Sequence, residues 1–205
     1  MAFSERSYTS QDGLSLYFRD YGEQHRAKTP VLCLAGLTRN SYDFSRLAEL
    51  LSSERRVICP DYRGRGKSEY DPKWRNYTPS TYINDIRHLL IFLNLYRVFV
   101  IGASMGGVIT MGMGAAMPTV LAGALINDVG PVIEKHGLDK IVTFMQEGAS
   151  GFSDWDAAAK FLRDRFPELS AKTDEDWLWV ARGTFQQGAD GRIGHNWDYN
   201  LIRPI

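Results

Sequence analysis

Val98-Phe99-Val100-Ile101-Gly102-Ala103-Ser104-Met105-Gly106-Gly107 is a short apolar run that ends in a serine flanked by glycines. The apolar part reads as a strand, and the small-residue stretch after it, to about Met117-Pro118, reads as a helix. Gly102-x-Ser104-x-Gly106 therefore lies on a predicted strand-to-helix turn, the context a nucleophile elbow needs. The spacing has a steric cause. A tight turn holds the serine in a strained conformation, so its neighbours two positions away must lack side chains that would clash. The hydroxyl then projects above the sheet, and the helix N-terminus favours negative charge developing beside it. The amide of Met105 points into the same space and can donate to an oxyanion.

Other readings of these glycines are weaker. A dinucleotide fingerprint needs glycine where Ser104 stands, and a side chain there obstructs a pyrophosphate. Gly64-Arg65-Gly66-Lys67-Ser68 ends like a phosphate-binding loop, but the first glycine of that motif is replaced by Asp61. A plain tight helix start remains the simplest competitor, and the placement between strand and helix argues against it.

Outward from the elbow, strands and helices alternate. Residues 7–22 alternate polar and apolar around Asp12-Gly13, a hairpin pattern. Val31 to Ala35 and Arg56 to Cys59 are short apolar runs, as expected of strands buried on both faces. A helix is expected from about Tyr42 to Leu51. Residues 61–77 form a loop rich in Gly, Arg and Asp, in which Asp61 and Arg63 read as a pair that fixes the loop. Thr78 is a candidate N-cap with Pro79 at the first helical position, and Ile83, Ile86, Leu90 and Leu93 give that helix an apolar face. Leu121 to Ile126 is the next expected buried strand. The pattern predicts an α/β fold with a mostly parallel sheet and helices on both faces. From about 132 to 200 it predicts helix throughout, rich in aromatic residues, with Asp154 and Thr173 as N-caps.

Composition limits the function classes. The chain has 205 residues, 44% hydrophobic and 23% charged, with Lys plus Arg and Asp plus Glu equal at 24. It is long enough to bury a sizeable core, and no net field favours nucleic acid or an acidic membrane. The first residues carry no signal-peptide pattern and no stretch is long and apolar enough to span a bilayer, so a cytoplasmic setting is expected. Cys33 and Cys59 lie inside apolar runs and read as buried reduced thiols, not as a metal or disulfide framework. Neither a metal nor a cofactor is expected.

A second element supports the elbow. Ala35-Gly36-Leu37-Thr38 follows the first buried strand, where a second oxyanion donor is needed, and the amide of Leu37 is the natural choice. The succession LAGLTRNSYDF, DYRGRGKSEYDP, VIGASMGG and INDVGP resembles the α/β-hydrolase superfamily. The likeness is strongest to its cofactor-independent, lid-bearing members, among them enol-lactone hydrolases, carbon–carbon bond hydrolases and carboxylesterases. It implies the first six strands of an α/β-hydrolase core over 1–131 and a helical cap over 132–205. The position of Ala35 is often histidine in that family, which leaves the backbone amides in place. The position of Ser104 is aspartate in haloalkane dehalogenases and epoxide hydrolases, and serine argues against both chemistries.

A serine hydroxyl needs a base. The resemblance implies the order nucleophile, acid, histidine, with the last two after the seventh and eighth core strands. Four histidines compete for the role. His25 and His88 read as solvent-facing, His136 lies at the cap entrance, and His195 follows the serine at a distance within the cap's last segment. Asp128, directly after the sixth strand, is the candidate acid, because some members of the superfamily place theirs there. Its alternative role is to cap amides in the Asn127-Asp128-Val129-Gly130-Pro131 turn. The expectation is a serine hydrolase of a small, fairly apolar ester, lactone or related acyl substrate, seen as a fragment lacking its histidine. A non-catalytic binding module, or a half-enzyme completed by a second chain, is the alternative.

Overall fold

The computed structural model describes residues 3–25, 27–132, 135–147 and 150–204. A hairpin of β1 (Ser4–Thr9) and β2 (Ser15–Tyr21) opens the chain, followed by β3 (Val31–Leu34), helix α1 (Ser45–Leu51) and β4 (Val57–Pro60). Helix α2 (Pro79–Phe92), β5 (Val98–Ala103), α3 (Met105–Ala116) and β6 (Leu121–Asn127) continue the alternation. The strands form one sheet in the order β1-β2-β4-β3-β5-β6. β1, β2 and β4 pair antiparallel, whereas β4, β3, β5 and β6 run parallel. The chain crosses from β4 to β5 on the far side of β3, so the carboxyl ends of β3 and β5 flank a topological switch point. Ligands of open α/β sheets bind at that place.

Side chains explain why β3 and β4 are buried on both faces. Leu32, Leu34 and Ile58 enter the larger apolar core with α2 and α3, and Val31, Cys33, Val57 and Cys59 enter a second core under α1. The alternation follows from the two-residue period of a strand. Local chemistry sets the helix starts as expected. The Thr78 side chain accepts from the Thr81 amide ahead of Pro79, and Asp154 accepts from Ala157. Thr173 and Asp176 form a reciprocal capping box.

Two expectations are corrected. Leu121 to Ile126 is not buried: β6 is the last strand of the sheet, bonded to β5 alone among the described residues, and Leu125 and Ile126 are 48% and 40% exposed. An apolar run is buried only where a neighbour covers it. The region after 131 is not helical throughout either. It holds α4 (Lys135–Gln146), α5 (Trp155–Arg165) and α6 (Asp174–Thr184), then a hairpin of β7 (Phe185–Gln187) and β8 (Ile193–His195). No described helix is long and apolar enough to cross a membrane.

The cap elements sit on the loops at the carboxyl end of the sheet. Asn40 Nδ2 donates to the Gly183 carbonyl at 3.0 Å, and the rings of Tyr42 and Trp179 lie 5.6 Å apart. The Gly66 amide donates to Asn196 O at 3.0 Å and the Asp198 amide to Gly64 O at 2.7 Å. Tyr77 fastens the same seam, donating to Asp198 Oδ2 at 2.6 Å while accepting from the Asp71 amide.

Candidate active site

Ser104 stands between the last residue of β5 and the first of α3 with φ 50° and ψ −118°. A non-glycine residue with positive φ costs about 1–3 kcal/mol and persists only where the surroundings enforce it. Here the glycines do so. A Cβ on Gly102 would lie 2.5 Å from the Gly106 carbonyl oxygen, and one on Gly106 would lie 2.0 Å from the Leu34 carbonyl oxygen. The first turn of α3 can therefore press onto the ends of β3 and β5. The Ser104 amide donates to Asn127 O at 2.9 Å, and the Gly107 amide returns to Ser104 O at 2.8 Å. The half-buried Ser104 hydroxyl makes no hydrogen bond among the described residues and does not cap its own helix.

The loop after β3 lies alongside. A Cβ on Gly36 would be 3.7 Å from Ser104 Cβ. Residues 36–39 form a turn closed by the Arg39 amide on Gly36 O at 3.2 Å. Leu37 is the first inner residue of that turn, and its amide has no backbone acceptor among the described residues. Met105 is the first residue of α3, where an amide has no intrahelical partner. Leu37, Ser104 and Met105 are thus brought together at the switch point.

The titratable candidates are placed elsewhere. Asp128 is exposed, adopts φ 58°, and its carboxylate accepts from no described group, so the amide-capping role is not realised. It lies one residue beyond the Asn127 carbonyl that holds Ser104. His25 and His88 are half-buried instead of solvent-facing. His25 meets Gln24, at the sheet end opposite the elbow. The side chain of His136 lies outside the described residues. His195 stacks on Trp197 at 4.1 Å and on Phe185 at 6.1 Å, and burial pushes its imidazole pKa down. Its Nε2 is buried without a hydrogen-bond partner among the described residues, as are Trp197 Nε1 and Asn196 Oδ1. None of these histidines bonds Ser104.

The loop after β4 carries charge that sequence reasoning paired differently. Asp61 and Arg63 do not bond each other. Asp61 accepts from the Ser41 and Lys67 amides at 2.6 and 2.9 Å, and burial pushes its carboxyl up despite them. Arg63 is fully buried and meets Asp85, Asp71 and Asp12 at 2.6 to 2.8 Å. Burial raises the Asp85 carboxyl against the pull of Arg63, whereas the more open Asp12 is held down to about 2 by its Arg63 hydrogen bonds. Arg65, passed over in the sequence, is also fully buried and reaches the Leu37 carbonyl and Met105 Sδ. Nothing in the local sequence distinguishes it from a surface arginine of a Gly-rich loop.

Comparison with known proteins places the chain in a family. The family model described as the alpha/beta hydrolase family matches residues 31–203. A 3-hydroxybutyrate-oligomer hydrolase of Cupriavidus necator is 29% identical over 191 residues, 92% of this chain and 64% of that protein. A 2-(acetamidomethylene)succinate hydrolase of Mesorhizobium japonicum is 29% identical over 80% of this chain and 56% of its own length. The chain thus spans less than two thirds of the length of these curated relatives. The crystal structure of an alpha/beta hydrolase from Novosphingobium aromaticivorans superposes with a TM-score of 0.90 at 38% identity, covering 98% of this chain and 70% of that one. The chain belongs to the alpha/beta hydrolase family.

Proposed function

We propose that this chain is the nucleophile-bearing part of a serine hydrolase that cleaves an ester, lactone or related acyl bond of a small, fairly apolar substrate, carbon–carbon bonds beside a carbonyl included. One observation carries the proposal: a serine strained to φ 50° at a strand-to-helix turn, its hydroxyl and the neighbouring amides of Leu37 and Met105 without a hydrogen-bond partner among the described residues. In this scheme Ser104 Oγ attacks the substrate carbonyl carbon, and the oxyanion accepts from both amides. The leaving group departs with a proton, and water hydrolyses the acyl-enzyme. Each donor supplies about 3 kcal/mol in comparable sites. The similarity to a 3-hydroxybutyrate-oligomer hydrolase favours an ester-type bond.

The proton that Ser104 loses needs a histidine, and none of the histidines whose side chains are described bonds Ser104. We assign the base to the part of the relatives' length that this chain does not span. Asp128, at the end of β6 and without a hydrogen-bond partner among the described residues, is our candidate for the acid. The division we favour is a core to residue 131 and a cap from 132.

The test is labelling of the natural full-length protein with a fluorophosphonate, followed by peptide mass spectrometry. The adduct is expected on the peptide containing Ser104, and is expected to vanish in Ser104→Ala at unchanged melting temperature. A folded protein that takes no adduct at Ser104 would overturn the proposal in favour of a non-catalytic binding module.

A further inference from the structure

Arg63 and Arg65 leave one loop two residues apart, and neither side chain reaches solvent. Their surroundings are opposite. Arg63 meets the three carboxylates of Asp12, Asp71 and Asp85. Arg65 forms no ion pair among the described residues. Its Nε donates to the Leu37 carbonyl, its Nη1 to the Arg63 carbonyl at 2.9 Å, and its Nη2 to the Tyr82 hydroxyl at 3.2 Å. Met105 Sδ lies 3.6 Å from Nη2, and the rings of Tyr82 and Tyr62 cover the guanidinium at 4.8 and 5.6 Å. Neutral acceptors and ring faces return only part of the hydration that a buried cation gives up. An apolar side chain of similar volume would avoid that cost. The stability supplied by its own contacts therefore does not account for an arginine here.

We infer that Arg65 is a positioning residue for the Ser104 site: it ties the Leu37 turn to Met105 and sets a buried positive charge behind the two oxyanion amides. This role depends on Ser104 being the nucleophile. Among the described residues the Leu37 turn is closed by a single backbone bond, from Arg39 to Gly36. Arg65 is the donor to the Leu37 carbonyl among the described residues, so it fixes the peptide plane that follows the Leu37 amide. Its own backbone is anchored, because Gly64 and Gly66 on either side bond Asp198 and Asn196 of the cap. An uncompensated guanidinium in a dry site also acts on developing negative charge more strongly than one in water. A purely structural account exists: the Arg65 charge offsets the excess of carboxylates around Arg63. That account predicts changes in stability with no change in affinity for the transition state.

The test uses the natural full-length protein, p-nitrophenyl butyrate as substrate, and phenylboronic acid, whose tetrahedral serine adduct places an oxygen at the two amides. Arg65→Met is expected to lower kcat by about tenfold to a hundredfold at a KM changed by no more than about twofold. Phenylboronic acid affinity should fall in parallel with kcat. Arg65→Lys keeps the charge but cannot bridge Leu37 and Tyr82 together, and an intermediate loss of roughly three- to tenfold in kcat is expected. Melting curves verify folding, and if Arg65→Met does not fold, Arg65→Lys decides alone. Ser104-dependent hydrolysis with wild-type kcat and boronate affinity in the folded variants would overturn the inference by itself. So would a fall in kcat that leaves boronate affinity unchanged. Hydrolysis that survives in Ser104→Ala, or is absent from the wild type, would overturn the assignment of Ser104, and the role of Arg65 with it.

Discussion

Gly106 and Leu34 touch so closely that a Cβ on the glycine would sit 2.0 Å from the leucine's carbonyl oxygen. The obstacle is backbone at the end of a central strand, so neither partner can turn aside. Gly106→Ala is expected to destabilise the fold by about 3 kcal/mol or more, the upper range for overpacking. Gly130→Ala is the control, because its Cβ would meet nothing within 4 Å. Urea denaturation of both variants checks the contrast, and equal midpoints would contradict it.

Acid should expose the contribution of Asp12. Its carboxyl is held down to about 2 by hydrogen bonds from Arg63, against an ordinary value near 3.8. A depressed carboxyl stabilises the fold above its unfolded pKa, and that stabilisation is lost as pH falls from about 4 towards 2. Asp12→Asn should therefore melt below wild type at pH 5 to 7, and the gap should close between pH 4 and 2. A gap that stays constant across that window would exclude the linkage.

Tyr77 joins loop and cap through one oxygen. Tyr77→Phe leaves the Asp71 amide without its acceptor and Asp198 Oδ2 without the Tyr77 donor, while Asn200 still bonds Oδ1. The expected cost is about 1–3 kcal/mol, in the range for orphaned polar partners. Limited proteolysis should then cut residues 185–200 faster than in wild type. Unchanged proteolysis there would show that the backbone bonds of Gly64 and Gly66 hold the seam unaided.

Cys33 and Cys59 are buried on neighbouring strands, and burial, with the Cys33 thiol beside it, pushes the Cys59 thiol well up. Cys59 presents little thiolate near neutral pH and both thiols are buried, so a disulfide reagent such as dithionitrobenzoate should not react with the folded protein. Both thiols should titrate on unfolding in guanidinium. Fast reaction of either in the native state would contradict their burial.

What could be read from the sequence was local. Gly102-x-Ser104-x-Gly106, and the N-caps at Thr78, Asp154 and Thr173, are set by neighbours three or four residues away, and the structure realises each. The four strands β3 to β6 were legible because short apolar runs are separated by helix signals, and the β1–β2 hairpin because polar and apolar residues alternate around Asp12-Gly13. β7 and β8 were not, since three residues each are too few to show a two-residue period. The exposure of β6 was hidden because an apolar run does not say how many neighbours it has. The partners of Arg63 come from positions 12, 71 and 85, which only the fold assembles. The same holds for Arg65, whose contact with Leu37 and Met105 joins three separate loops and turns.

The bond from the Ser104 amide to Asn127 gives the elbow a dependence on β6. That strand is held along one side only among the described residues, so its opening is the least costly local unfolding that reaches the serine. Amide hydrogen exchange at Ser104 should follow the fraying of β6 and outpace the interior of β5. Whatever covers the free side of β6 would then slow exchange at a residue it never touches, and would hold the strained serine in place from behind.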